Sequence, residues 1–280
     1  MQKRNQLLKG EVTIMIKLIA LDIDDTLLSS EGRILASTKE SLKKAIENDV
    51  KVVLCSGRPM PGVRPFLNEL GINTDDQYVI TYNGSVIESA TGRVVNKFGI
   101  SNAEYRHIDE YAQQHKLQYN VLDEDGEIYT SNTNISRITV IQAWENNAGL
   151  LIRTPDELGN DFSIVKAVFV GEVEELNQIE LAVVKEFGSQ YYVVRAADNF
   201  LEVMNASASK GAALEILAAE LGIDAEDIIV FGDEQNDISM FKFAGHAIAM
   251  GNGSKLAKSY ATFITDTNDN DGIAKVLNNF

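Results

Sequence analysis

Met15-Ile16-Lys17-Leu18-Ile19-Ala20-Leu21 runs straight into Asp22-Ile23-Asp24-Asp25-Thr26. The apolar half, with Ile14 ahead of it, is short and rich in β-branched residues, the pattern of a strand buried on both faces. The acidic half begins where that strand should end. A helical pattern follows from Ser37, an N-cap candidate, through Leu42, Ala45 and Ile46. Val50 to Leu54 is a second buried strand that stops at Ser56-Gly57-Arg58-Pro59. Gly62 to Leu70 is amphipathic, and Gly71 leads to a third strand over Tyr78 to Thr81. Strand, helix, strand, helix, strand implies a parallel sheet with right-handed crossovers.

The tail repeats that grammar. Lys210 to Leu221 is an Ala- and Leu-rich helix closed by Gly222, and Ile228 to Phe231 is a buried strand ending in Gly232-Asp233. Ile238 to Ala244 reads as helix, Ala247 to Met250 as a short strand, and Phe263-Ile264 as a last one. The middle differs. Leu117–Leu122 and Ile128–Thr130 flank Asp123-Glu124-Asp125-Gly126, a hairpin signal. Ile135 to Asn146 and Val173 to Phe187 have helical patterns, while Ser163 to Val170, Tyr191 to Val194 and Leu201 to Val203 read as strands, predominantly antiparallel. The expected fold class is therefore α/β, a Rossmann-like parallel core over 15–85 and 204–280 interrupted by an α+β insert over 86–203, with 1–14 as an N-terminal extension.

A chain of 280 residues, 45% hydrophobic and 24% charged, has ample material for packed cores. The single Cys55 cannot form an internal disulfide, which favours a reducing compartment. No apolar run approaches a membrane span, and 1–14 lacks the apolar stretch of a signal peptide, so a cytoplasmic protein is expected. A net charge of −16 argues against nucleic acid as a partner but leaves room for a small phosphorylated one, because a bound Mg²⁺ and one or two cations reverse the field inside a single cleft. Oligomeric state is not legible here.

Open parallel sheets place their crevice beyond the carboxyl ends of the strands. Three such ends carry polar groups suited to one phosphate: Asp22/Asp24/Thr26, Ser56/Gly57/Arg58 and Asp233/Asn236/Asp237, with Lys210 opening a helix shortly before the third. If strand geometry persisted, Asp22 and Asp24 would point to one face. A carboxylate can attack phosphorus, and a second carboxyl can protonate the departing alkoxide and then activate water. Mg²⁺ would hold the anionic partners together, with Asp233 completing an oxygen-rich shell. Taken singly, Asp22-x-Asp24 and Ser56-Gly57 are also ordinary turns, and Lys210 an ordinary helix-start residue.

Together these segments resemble the haloacid dehalogenase-like hydrolases, specifically the Cof-type phosphatases with a C2-type α+β cap. The pattern D-x-D-x-T matches Asp22 to Thr26, a strand-end Ser matches Ser56, the family Lys matches Lys210 in Ser209-Lys210-Gly211, and G-D-x-x-N-D matches Gly232 to Asp237. Tyr82-Asn83-Gly84, Leu201-Glu202-Val203 and Ala249-Met250-Gly251-Asn252 agree as well. Asp25, where Gly is common, and Gly253, where Ala is usual, depart from the pattern. The resemblance implies Asp22 as nucleophile and Mg²⁺ ligand, Asp24 as general acid/base lending its carbonyl to the metal, Asp233 as the other carboxylate ligand and Asp237 as orienting the metal. It implies Thr26, Ser56, Gly57 and Lys210 as phosphate-positioning groups, with Asn83, Asn236 and Asn252 at the rim. Arg58 either reaches substrate or braces its loop, and Asp25 is expected to be a bystander.

The implied reaction is Mg²⁺-dependent hydrolysis of small phosphomonoesters, foremost sugar phosphates, through an aspartyl-phosphate, with preference set by the cap. Two alternatives stand beside it: phosphoryl transfer to another sugar hydroxyl, as in capped mutases, and a non-catalytic sensor of a phosphorylated metabolite. Other residues invite functional readings that are declined. His107, His115 and His246 are not spaced as a metal site, Cys55 has no neighbouring His, and Asp266 to Gly272 lacks the Gly position and terminal Glu of a calcium loop. Trp144, Tyr191 and Tyr192 are expected to pack in cores.

Overall fold

The computed structural model describes residues 15–146 and 148–279; the extension expected over 1–14 lies outside them. In chain order the elements are β1 (Leu18–Asp22), α1 (Ala36–Glu47), β2 (Lys51–Cys55), α2 (Met60–Leu70), β3 (Tyr78–Thr81), β4 (Val86–Ser89) and β5 (Val94–Lys97). Then come β6 (Ile100–Ser101), α3 (Asn102–Gln114), β7 (Tyr119–Leu122), β8 (Ile128–Thr130), α4 (Arg137–Glu145), β9 (Leu150–Ile152), β10 (Ser163–Ile164), β11 (Lys166–Val170), α5 (Val173–Phe187), β12 (Tyr191–Ala197) and β13 (Phe200–Asn205). The tail supplies α6 (Lys210–Leu221), β14 (Ile228–Gly232), α7 (Ile238–Phe243), β15 (His246–Ala249), α8 (Lys255–Tyr260), β16 (Phe263–Ile264) and α9 (Gly272–Leu277).

The main sheet has the order β16-β15-β14-β1-β2-β3-β4-β5, with every pair from β16 to β3 parallel. Its strands are apolar on both faces because helices cover both. Ile19 and Leu21 of β1 face α1, α2 and α9, while Leu18 and Ala20 face α6, α7 and α8. β1 sits where the chain's winding reverses: β2 and β3 build outward on one side, β14 to β16 on the other. That switch point is the natural crevice of such a sheet, and the acidic residues after β1 and β14 open onto it.

The parallel elements fall where the hydrophobic pattern puts them, with differences of local origin. The N-cap of α1 is Leu35, which makes no side-chain cap bond. Ser37 instead lies inside the first turn, its hydroxyl donating to the Asp271 carboxylate. β4 and β5 continue the main sheet in antiparallel fashion, so the expected boundary at 85/86 falls within that sheet and the chain leaves it only after Lys97.

The insert is a six-stranded sheet of order β12-β13-β11-β7-β8-β9, antiparallel except for the parallel pair β8–β9. The run Ser163–Val170 divides at Val165: β10 pairs with β6 apart from the sheet, and β11 joins it. α3 and α5 pack on one face through Tyr105, Ile108, Leu176 and Phe187. α4 packs on the other through Ile138 and Ala143, and Tyr82 of the main body is buried in that same cluster. The Tyr82 hydroxyl donates to the Asp123 carbonyl at 2.9 Å, and Lys97 pairs with Glu124 at 2.6 Å. Asn205 Nδ2 donates to the Gly99 carbonyl at 3.0 Å, tying together the two segments that link insert and main sheet.

Candidate active site

Asp22 closes β1 with its carboxylate turned into the crevice and 6% of its surface exposed. Asp233 follows β14, and Asp237 lies one short turn further on, fully buried. The carboxylates of Asp22, Asp233 and Asp237 each place an oxygen within 4.8 Å of the others. Lys210, the first residue of α6, reaches between them. Its Nζ donates to Asp22 and, at 2.7 Å, to Asp237 Oδ1, with the side chain wholly buried. The other oxygen of Asp237 accepts from the backbone N–H groups of Asp233 at 2.9 Å and Glu234 at 3.1 Å, which fixes the turn. Thr26 Oγ1 donates to Asp233 Oδ1 at 2.9 Å, joining the loop after β1 to the loop after β14.

Burial drives the electrostatics. The Asp22 carboxyl is held well above the ordinary carboxylate range, first by loss of water, opposed by Lys210 and reinforced by Asp237 and Asp233. Asp233 is pushed up to about 7, again by burial first and then by Asp237, with the Thr26 bond opposing. Burial alone would discharge the Lys210 ammonium, but Asp22 and Asp237 outweigh it and hold its pKa above the usual value. Three carboxylates thus share one ammonium. That surplus of hard oxygen donors fits a divalent cation such as Mg²⁺, which would offset the loss of water and the mutual repulsion that together raise Asp22 and Asp233. Among the described residues it is the one carboxylate, His and Cys grouping close enough to hold a metal, and the Asp266 to Gly272 loop forms no such group.

Asp24 departs from the expectation of a shared face. Strand geometry ends at Asp22, so the alternation that would aim both carboxylates to one face stops there and the Asp24 side chain emerges to solvent; Asp25, next in the chain, then turns it with φ 56°. There Arg58 takes it in a two-point pair, Nε to Oδ2 at 3.0 Å and a terminal nitrogen to Oδ1 at 2.6 Å. The side chain of Asp24 is therefore no part of the carboxylate group, which leaves its backbone carbonyl as its only route to a metal. Arg58 both braces and borders the opening. Asp25 contributes through its backbone: its left-handed conformation explains why Gly suits that position, and its carbonyl accepts from Asn252 Nδ2 at 2.7 Å. Asn252 Oδ1 accepts from the Asn268 N–H at 3.0 Å, so Asn252 braces two loops.

Ser56 is buried at the end of β2, its hydroxyl accepting from the Arg58 N–H at 3.1 Å. Asn83 lies against Gly57, where a Cβ would stand 3.1 Å from the Asn83 amide, and accepts from Asn236 Nδ2 at 3.1 Å. The Tyr82-Asn83-Gly84 turn after β3 runs through three consecutive positive φ angles. At Gly84 a Cβ would lie 2.1 Å from the Ser209 carbonyl, so only glycine lets that turn close onto the start of α6 and set Lys210 in place. Nothing in the triplet's own sequence signals this mechanical role, because the carbonyl it meets lies more than a hundred residues further on. Cys55 is buried, and burial pushes its thiol up, away from any nucleophilic role. His107 pairs with Glu186 at 3.2 Å and His115 stacks on Tyr111.

A carboxylate-rich crevice at the switch point of a doubly covered parallel sheet defines a hydrolase-type α/β fold with a metal-competent centre. The family model of haloacid dehalogenase-like hydrolases matches residues 19–277, and the chain belongs to that family, of the Cof type that its motifs resemble. It is 33% identical over 94% of its length, and 97% of the relative's, to the Bacillus subtilis protein named "Putative phosphatase YxeH". A haloacid dehalogenase-like hydrolase from Bacteroides thetaiotaomicron superposes with a TM-score of 0.81 at 31% identity, covering 94% of this chain and 99% of that one. The haloacid dehalogenase subclass IIB sugar phosphatase BT4131 superposes with a TM-score of 0.76 at 25% identity, covering 94% of this chain and 98% of that one. Among the described residues no helix is long and apolar enough to cross a membrane.

Proposed function

We propose that this hydrolase is a Mg²⁺-dependent phosphatase that cleaves phosphomonoesters of small metabolites, sugar phosphates foremost, through an aspartyl-phosphate on Asp22. The observation that carries the reading is the convergence of Asp22, Asp233, Asp237 and Lys210 at the switch point, four groups drawn from both ends of the chain. The family's named phosphatases support the reaction class, and the sugar phosphatase of similar fold supports the substrate class.

In this reading one Asp22 oxygen bonds to phosphorus as the ester P–O bond breaks, and Asp24 gives its proton to the departing alkoxide. Asp24, now a carboxylate, takes a proton from the water that attacks phosphorus, releasing inorganic phosphate and restoring Asp22. Lys210 offsets the charge on Asp22, while Ser56, the Gly57 N–H and Thr26 position the phosphoryl oxygens. Mg²⁺ held by Asp22, Asp233, Asp237 and the Asp24 carbonyl would neutralise charge between two anions. Arg58 fixes Asp24 on the side facing the insert, where the leaving group would lie. The insert, spanning the chain between the two halves of the main sheet, acts as the cap that excludes water and selects the leaving group.

Asp22→Asn is the test. Phosphate release from an aryl phosphate in Mg²⁺ should fall by more than about 1000-fold, with the unfolding transition retained. Turnover surviving in that variant would sink the nucleophile assignment.

A further inference from the structure

Trp144 was expected in a core, and the structure places it at the surface instead. It lies near the end of α4 with 82% of its area exposed, while the same helix buries Ile138, Thr139, Gln142 and Ala143. A single exposed apolar side chain means little. Its neighbours give this one a meaning. Trp144, Glu145, Asn146 and Arg58 line one open cleft of about 750 Å³, a size suited to a small metabolite. Arg58 is the residue that grips Asp24, and the Glu145 charge acts on its guanidinium. The cleft is therefore bounded by the guanidinium that holds the proposed proton donor and by an indole.

We infer that Trp144 is a platform for the leaving group and that Glu145 and Asn146 read its polar edge, so the substrate is a phosphate ester whose leaving group carries a ring. The inference rests on the phosphatase reading and deepens it. A ring offers an apolar face that covers the indole, and its edge offers hydroxyl or N–H donors to the Glu145 carboxylate and mixed partners to the Asn146 amide. An acyclic leaving group of a few carbons covers neither the ring face nor the cleft. Sugar rings and heteroaromatic rings share this chemistry.

Trp144 is the single tryptophan of the chain, so its emission reports on this site alone. The experiment titrates the Asp22→Asn protein in Mg²⁺ with a hexose 6-phosphate, a pyrimidine nucleoside 5′-monophosphate and glycerol phosphate, reading emission and its quenching by acrylamide. One or both ring-bearing phosphates should change the emission saturably and shield the indole, and glycerol phosphate should do neither; the arm that responds names the kind of ring. Emission unmoved by both ring phosphates, or moved equally by glycerol phosphate, overturns the inference. In the active protein Trp144→Ala should raise KM for the responding ring ester about 10-fold more than for glycerol phosphate, with Trp144→Phe recovering most of the difference. Equal effects on both esters also overturn it. Failure of the wild-type protein to release phosphate from an aryl phosphate would overturn the phosphatase reading instead, and it leaves the emission result standing on its own.

Discussion

Replacing Asp233 with Asn should make the metal-free protein more stable and the Mg²⁺-loaded protein relatively less so. Asp233 is 7% exposed, and its carboxyl is pushed from 3.8 to about 7 by burial and by Asp237. A raised carboxyl pKa means the folded protein holds that proton more tightly than the unfolded chain. Stability is thus fully present below about pH 4 and is lost as pH rises through about 7. The rise of about three pH units corresponds to a ceiling of ~4 kcal/mol at pH 8. The carboxamide removes the charge, and its oxygen can still accept from Thr26. In chelator at pH 8, urea unfolding should therefore show a gain of about 2–4 kcal/mol, shrinking to nothing near pH 4. Mg²⁺ offsets most of that gain, since an ion at 100 times its Kd stabilises the wild type by about 2.7 kcal/mol and the variant far less. Loss of stability at pH 8 in chelator, or a gain that persists undiminished at pH 4, would refute the claim that the carboxylates repel one another without a metal.

Three further outcomes are expected. Arg58→Ala removes a half-exposed pair with Asp24, so unfolding should shift by less than about 1 kcal/mol; turnover of alkyl phosphates should fall several-fold more than that of aryl phosphates, whose leaving groups need no proton, and an equal fall would deny Arg58 a part in positioning the acid. Gly84→Ala drives a Cβ into the Ser209 carbonyl at a backbone φ of 103° and should cost at least ~2 kcal/mol together with activity, read from paired unfolding and turnover measurements. Lys166 and Glu202 form a buried pair on the insert's sheet, with one Glu202 oxygen lacking a partner. Lys166→Met should cost ~3–5 kcal/mol, and adding Glu202→Leu should recover most of it; a double variant no better than the single would show that Glu202 is satisfied without Lys166.

The parallel core was legible because its strands are short, mostly apolar runs ended by Gly or by polar groups, a signal that local chemistry carries alone. Lys210 and Asp233 were legible for the same reason: each sits at a helix start or strand end. What escaped depended on backbone turns and on packing. The strand ends at Asp22, so Ile23 and Asp24 no longer follow its alternation, and nothing in Asp-Ile-Asp-Asp-Thr announces that break or the left-handed backbone of Asp25 just after it. Asn252 braces a loop 227 residues away in the chain, beyond any local pattern. α4 carries apolar side chains at 138, 140, 141, 143 and 144, so periodicity assigns no single face and Trp144 looks as buried as Ala143. β4 and β5 read as the start of the insert because antiparallel strands follow them, yet hydrogen bonding gives them to the main sheet.

The position of β1 also bears on how the chain is made. Its partner on one side, β2, follows within a few dozen residues, but its partner on the other, β14, comes only after the entire insert. Until then the central strand is a bare apolar edge, and Asp22 waits for Lys210, 188 residues away. At ordinary rates of synthesis that interval is on the order of ten seconds. During it the insert can fold, but the Asp22–Lys210 ion pair cannot form. Completion of the candidate site is then a late event in biogenesis, and a chain stalled within the insert would present an unpaired strand to whatever guards nascent chains against aggregation.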